Sequence, residues 1–174
     1  MKKLKLLLLT AVVISLQSCC YYGGCNDDDI GDPFFNETDY TAIVMDRASF
    51  ETSVELLSPR AIINSGKIYV IADLLIINEV NEGFHIFLNS DPTNPSPLNF
   101  ITAPGSSDVS VKNDVLYINH AVDLIAVSYN ASLAQLSVTK RIRNIFPSLL
   151  SPDGFYHFGG EDQIVVNWIL TPQP

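Results

Sequence analysis

The sequence predicts an all-β fold: a partial β-propeller of four-stranded blades repeating about every 41 residues. Three observations predict it. The first is self-similarity. Asp73-Leu74-Leu75-Ile76-Ile77-Asn78 returns as Asp114-Val115-Leu116-Tyr117-Ile118-Asn119. At the same offset, without a gap, Phe84-His85-Ile86-Phe87 falls on Ile125-Ala126-Val127-Ser128, and Leu98 to Ile101 on Thr139 to Ile142. A period of ~40–45 residues built of short strands is the size of one propeller blade. The second is alternation of apolar and polar residues over short runs, the period-2 pattern of strands. The third is turn chemistry recurring every ~8–12 residues, the spacing of an all-β array.

Each element follows from its residues. In the first unit, 66–105, the alternation over Gly66–Asp73 predicts one strand and the β-branched run Leu74–Asn78 a second. Gly83 turns the chain into a third, Phe84–Leu88. Asn89-Ser90-Asp91-Pro92-Thr93-Asn94-Pro95 is a turn, because Asp and Asn bond their own backbone and proline presets φ. Leu98–Thr102 is the fourth strand, and Pro104-Gly105 permits the reversal into the second unit, 108–146. Upstream, Phe50, Val54 and Leu57 fall at i, i+4 and i+7, a single helical stripe. Downstream, Gln163–Trp168 reads as one further strand. The span 40–174 holds about three such units, whereas closed propellers have ~4–8 blades. At least one blade face is therefore expected to lack a neighbour unless the terminal segments fold over it. The C-terminal segment Ile164–Leu170 has low charge and high β-propensity, so it is expected either to close back on the first blade or to pair with another chain.

The first residues carry a different signal. Lys2, Lys3 and Lys5 precede an apolar run from Leu6 to Leu16, shorter than the ~20 residues that cross a bilayer. The stretch Leu16-Gln17-Ser18-Cys19 resembles the bacterial lipoprotein box, which implies a signal peptide over 1–18 and lipid attachment at Cys19. An ordinary secretory signal with a chance cysteine is the plainer alternative. Cys20 in place of an aspartate after Cys19 resembles the sorting pattern that favours the outer membrane. Residues 19–39, with Gly23-Gly24, Asp27-Asp28-Asp29 and Gly31-Asp32-Pro33, cannot bury enough apolar surface to fold and are expected to form a disordered acidic tether. The acidic run is either a solvated spacer or similar to a surface-export signal, and the periplasmic and cell-surface faces both stay open.

Removal of three lysines with the signal leaves seven basic and 19 acidic residues, a net charge of about −12. Without a basic stripe no nucleic-acid partner is expected, and membrane contact is expected through the lipid alone. Cys19, Cys20 and Cys25 all precede Asn26, which rules out a disulfide framework in the body and a thiolate zinc site there.

Gly83–Pro95, with its Asn-Ser-Asp-Pro-Thr-Asn-Pro run, and Phe100–Val111 resemble the LVIVD repeat of bacterial β-propeller proteins. The longer stretch Tyr40–Phe146, including Pro59-Arg60 and Ser65–Val70, is similar to a group of Bacteroidota lipoproteins that carry that repeat. The resemblance implies a propeller-type fold at an outer membrane and no known reaction or catalytic residues. The second unit departs from it with Tyr129–Leu133 in place of the Asp-Pro turn.

Candidate chemistry is sparse. His85, His120 and His157 come from different units without metal-ligand spacing, so structural roles are expected and no metal or cofactor. Gly105-Ser106-Ser107-Asp108 lacks the second glycine of a nucleophile elbow. Asp91 and Asp108 lack a calcium-ligand ladder. Tyr117, Tyr129, Tyr156, Phe158 and Trp168 could form a stacking platform for a sugar or peptide, although core packing is the plainer reading of Tyr117 and Trp168. Tyr117, His120 and Trp168 are the ligand-binding candidates. The function expected is a non-catalytic interaction module binding protein or glycan at the outer membrane. The alternative is an accessory subunit whose open blade completes a partner or an oligomer by self-association, and an enzyme of unknown class comes third.

Overall fold

The structure, a computed structural model, describes residues 38–160 and 162–172. The expected signal peptide, Cys19 and the tether up to residue 37 lie outside the described residues. The compact unit that holds the described residues begins at Thr38. Thr38 Oγ1 and the Asp39 amide both donate to the Asp153 carboxylate, at 2.8 and 3.0 Å, and so tie those residues to the body.

Among the described residues, eleven strands and one short helix follow in the order β1 (Tyr40–Asp46), α1 (Arg47–Thr52), β2 (Leu56–Leu57), β3 (Ser65–Ile71), β4 (Leu74–Glu79), β5 (Gly83–Leu88), β6 (Ser96–Thr102), β7 (Ser106–Lys112), β8 (Val115–His120), β9 (Asp123–Asn130), β10 (Gln135–Ile142) and β11 (Gln163–Leu170). The fold is all-β and antiparallel. β2-β6-β5-β4-β3 form one sheet, β10-β9-β8-β7 a second, and β1-β11 a two-stranded third. Among the described residues the sheets do not close into a ring.

The two large sheets repeat each other. β3–β6 and β7–β10 are meanders with the same strand order, and each carries a bulge between its last two strands, skipping Leu98 in one and Thr139 in the other. The ungapped correspondence needs one correction. Three residues join β4 to β5, where Glu79 faces Gly83, but two join β8 to β9, where His120 faces Asp123. Within the third strand of each unit the offset therefore drops by one: Phe84 corresponds to Leu124, His85 to Ile125, Ile86 to Ala126 and Phe87 to Val127. A one-residue slip moves a side chain to the opposite face, so this shorter turn decides which residues of β9 meet the core.

One core joins the two sheets. Ile76, Phe84, Ile86 and Ile101 of the first pack with Val109, Leu116, Ile118, Ile125 and Val127 of the second. Tyr129 adds a hydrogen bond from its hydroxyl to Asn99 Oδ1, 2.9 Å, across that contact. A smaller core, Phe50, Ala121, Val122, Ile164 and Val166 with Met45 against it, holds the terminal sheet to the β8–β9 turn. Asn81 in the β4–β5 turn also bonds Asn167 at 3.0 Å. Thus β1-β11 lies across the turn ends of both meanders. The expected closure of the C-terminal strand on the first blade is replaced by pairing with β1, at the N-terminal end of the folded unit. Gly105 sits where β6 feeds β7 beneath β11, with φ +76; a Cβ there would lie 2.7 Å from that of Ala121 and 3.2 Å from Val166 Cα. Glycine meets both demands.

The expected helical stripe is half realised. Asp46 caps α1 by accepting from the Ser49 amide, and Phe50 is buried. Leu57, however, lies in β2, paired with Phe100. Ser53 ends the helix by bonding Phe50 O, and Thr102 then draws the chain into pairing through bonds with Ser53 and Glu55. A three-residue stripe cannot outweigh a sheet edge that offers unpaired backbone groups.

Candidate interaction faces

Strand pairing assigns every residue of the meanders to one of two faces. In the first sheet the face turned away from the second carries Ile68 opposite Ile77, Val70 opposite Leu75, and Phe87 beyond Leu75. We call it the incoming face. In the second sheet the face turned away from the first carries Ser110 opposite Tyr117, Ala126 beyond Tyr117, and Leu124 between Asn119 and Ile142. This is the outgoing face.

The repeat makes these two faces counterparts of the two that are buried between the sheets. Ile68, Val70, Leu75, Ile77 and Phe87 occupy the places of Val109, Val111, Leu116, Ile118 and Val127. Val109 is 4% exposed, whereas Ile68 and Val70 are 63% and 65% exposed. Around Ile68 and Val70 the incoming face keeps core composition without a neighbour. The outgoing face is more polar, with Ser110, Tyr117 and Ala126 where the buried face has Tyr69, Ile76 and Ile86. It forms an open groove of about 520 Å³ lined by Asp108, Ser110, Tyr117, Asn119, Leu124 and Phe146.

The turn-end corner of each sheet is buried and holds a carboxylate. In the first, Glu79 is 0% exposed. It accepts from His85 Nε2 at 2.8 Å and from the amides of Ile63 and Asn64, so it pins the segment before β3 over the incoming face. Burial pushes its pKa up, but these bonds outweigh burial and hold it below the ordinary value. Arg60 lies over the Phe100 ring, 3.9 Å from the centroid, and pairs with Glu82.

In the second sheet the corresponding positions are His120 and Asp123. Asp123 accepts from Arg47 Nη1 at 2.7 Å, Arg141 Nη1 at 2.8 Å and the Asn144 amide at 3.0 Å. Burial opposes ionisation there too, and the amide and the two guanidiniums prevail, so its pKa is lowered. His120 stacks on Phe50 with centroids 4.0 Å apart, and its Nδ1 lies 3.1 Å from Arg141 Nη1. Burial, then the Arg141 charge, push its pKa down to about 3. An arginine can only donate, so Nδ1 accepts and Nε2 carries the proton.

That tautomer bears on chemistry. Ser106, His120 and Asp123 are three residue types of a nucleophilic triad, all fully buried. With its proton on Nε2, His120 has no free lone pair for the Ser106 hydroxyl, and Asp123 serves the arginines instead. The arrangement is that of a packed ionic corner.

The residues singled out from sequence do not converge. Tyr117 is on the outgoing face, 37% exposed. His120 is in the corner beneath Phe50. Trp168 is half-buried in β11, donating from Nε1 to Leu149 O at 3.1 Å, with the His157 ring edge-on to it at 6.4 Å. His85 is the partner of Glu79. Asp91 accepts from Thr93 within its turn, and Asp108 is bonded by Lys67 and by the Tyr69 hydroxyl. Arg47, Asp123 and Arg141 were not anticipated, because no spacing links residues so far apart in sequence; a buried-charge signal exists only after folding. No family model, curated protein or solved structure matches the chain.

Proposed function

We propose that this protein is a non-catalytic interaction module of partial-propeller type, lipid-anchored through Cys19 at an outer membrane, which binds protein through the unstacked faces of its two meanders. The observation that carries the reading is the incoming face, where Ile68 and Val70 are 63% and 65% exposed at positions whose counterparts in the second sheet pack into the core. Leaving such side chains in water forgoes about 1.5–3 kcal/mol each, and contiguous apolar surface of that kind marks a docking site. The aliphatic, β-branched surface suits a protein surface better than a sugar. The propeller assignment is supported by the matched meanders and their shared core, and the anchor by the Leu16–Cys19 box and the LVIVD resemblance. Among the described residues no helix is long and apolar enough to cross a membrane.

A glycan is the second reading, favoured by the outgoing groove, where Tyr117 could stack on a sugar ring while Asp108 and Asn119 accept from hydroxyls. A photo-crosslinking amino acid at position 70 separates the readings in living cells. Protein adducts at 70, above those from the exposed turn position 93, are expected. Adducts at neither 70 nor 117 would end the protein-binding reading. Palmitate labelling that survives Cys19→Ala would separately overturn the anchor.

A further inference from the structure

We infer that the occupant of these faces is a second copy of the same chain, stacked head to tail, with the outgoing face of one copy on the incoming face of the next. This rests on the reading of the open faces as docking surfaces and names their partner. The contact between the two sheets within one chain is already such a stack. It places the outgoing-type face of β3–β6 against the incoming-type face of β7–β10 around one core. The free outgoing face belongs to β7–β10 and the free incoming face to β3–β6. The same rotation that carries the first sheet onto the second would therefore carry the second sheet onto the first sheet of another copy.

Three features fit that continuation. The incoming face has the composition of a buried partner: Ile68, Val70, Leu75 and Ile77 stand where Val109, Val111, Leu116 and Ile118 stand in the internal contact. Side-chain size is complementary at one matched pair. Internally, Ile86 lies on the outgoing type of face and Val127 on the incoming type; at the free faces these become Ala126 and Phe87, so the larger residue moves to the opposite side. Such exchanges roughly conserve volume, which packed cores tolerate best. Charge is complementary as well. Within the chain Lys67 on β3 pairs with Asp108 on β7. The repeat puts Asp108 at the place of Lys67 on the outgoing side, and Lys67 at the place of Asp108 on the incoming side, so a stacked copy brings Asp108 to Lys67 again. Asp108 and Lys67 remain 49% and 61% exposed in their side chains, with room for a second partner.

The contact uses different patches on the two copies, so it is heterologous and either closes into a ring or runs on. The right-handed twist that makes blades close at ~4–8 per ring predicts a ring of ~2–4 copies of this two-meander chain. The segment before β3 and the one around Phe146 then lie at the turn ends of the new contact, as α1 does in the internal one.

Sedimentation velocity on the full chain in detergent, with paired cysteine crosslinking, tests this. One discrete oligomer of ~2–4 copies is expected, and Val70→Asp, at an exposed position the isolated fold does not need, should raise its dissociation constant at least ~30-fold, as removal of an interface anchor does. Phe87→Cys and Ala126→Cys chains should each form no intermolecular disulfide beyond that of the unsubstituted chain, and should link when mixed. Val70→Asp that no longer folds would leave the mixed-disulfide test standing by itself. A monomer at all concentrations overturns the inference, as do chains that link to their own kind but not to each other, and so does assembly without a size limit. If the purified chain is monomeric while position 70 captures another protein in cells, the partner is wrong and the docking reading survives. If neither is seen, both fall.

Discussion

The two meanders share strand order and bulge position, yet they solve the same problem at their turn-end corners with opposite chemistry. At one position the first has Glu79 and the second His120; at the facing position the first has Gly83 and the second Asp123. Each corner buries one carboxylate. In the first its partners are a histidine and two amides of an irregular segment, and in the second they are the Asn144 amide and two arginines, one brought by α1. Gly83 cannot carry the acid, because a Cβ there would lie 2.0 Å from Ile101 O. The difference shows what the repeat constrains and what it does not. Backbone positions are inherited, while the charge at a corner follows whichever non-repeating segment covers it.

The comparison breaks most visibly at Asp123. Replacing it with alanine leaves Arg47 and Arg141 without their shared counter-ion at 19% and 11% side-chain exposure, and a loss of about 3–5 kcal/mol is expected in urea unfolding. A loss under about 1 kcal/mol would mean that the guanidiniums reach water instead. Glu79→Ala should cost less, about 1–3 kcal/mol, and the deficit should be local. Amide exchange at Ile63 and Asn64 should accelerate while β8–β9 is unaffected, and uniform acceleration would refute the pinning role.

The pH dependence sharpens the contrast. His120 has a folded pKa of about 3, below its unfolded value near 6.5. The unfolded chain therefore takes a proton that the folded chain refuses. Stability is complete above pH ~6.5 and declines toward pH 3 by up to about 1.4 kcal/mol per unit. Glu79 and Asp123, whose folded pKa values are lowered, add a further loss only once the pH falls below their unfolded values near 4. His120→Gln should flatten the slope between pH 6.5 and 4.5 and leave the steeper acid limb, as read by thermal melts across that range. The smallest effect is expected at Arg60→Ala, about 0.5–1 kcal/mol for an exposed stack on Phe100, with no change in the second corner.

The meanders were legible because β-structure between neighbours writes itself locally. Gly66–Asp73 alternates at period two, Leu74–Asn78 and Val115–Ile118 are short apolar runs of strand length, and Gly83, Gly105 and the Asp91 turn mark where strands end. The helical stripe at Phe50 was legible as far as its cap allowed. The shorter β8–β9 turn was not, because a one-residue deletion between two apolar runs leaves similarity intact while reversing which residues face the core. The corner clusters were hidden for a different reason: Arg47, Asp123 and Arg141 carry no common spacing, and each reads as a surface charge until the chain brings them together.

By itself the sequence determined the all-β class, the repeat and the approximate places of the four strands of the first meander, since these depend on contacts between residues a turn apart; β1 and β2 were not among them. It also determined that the body holds no cysteine and carries an acidic balance. Tertiary structure alone decided that β11 pairs with β1 from the other end of the folded unit, and that β2 joins the edge of the first sheet. It also decided which faces stay open. Those outcomes depend on closing loops of up to about 130 residues, and nothing local can signal a partner that far away; only the competition for unpaired edges and unburied faces selects it.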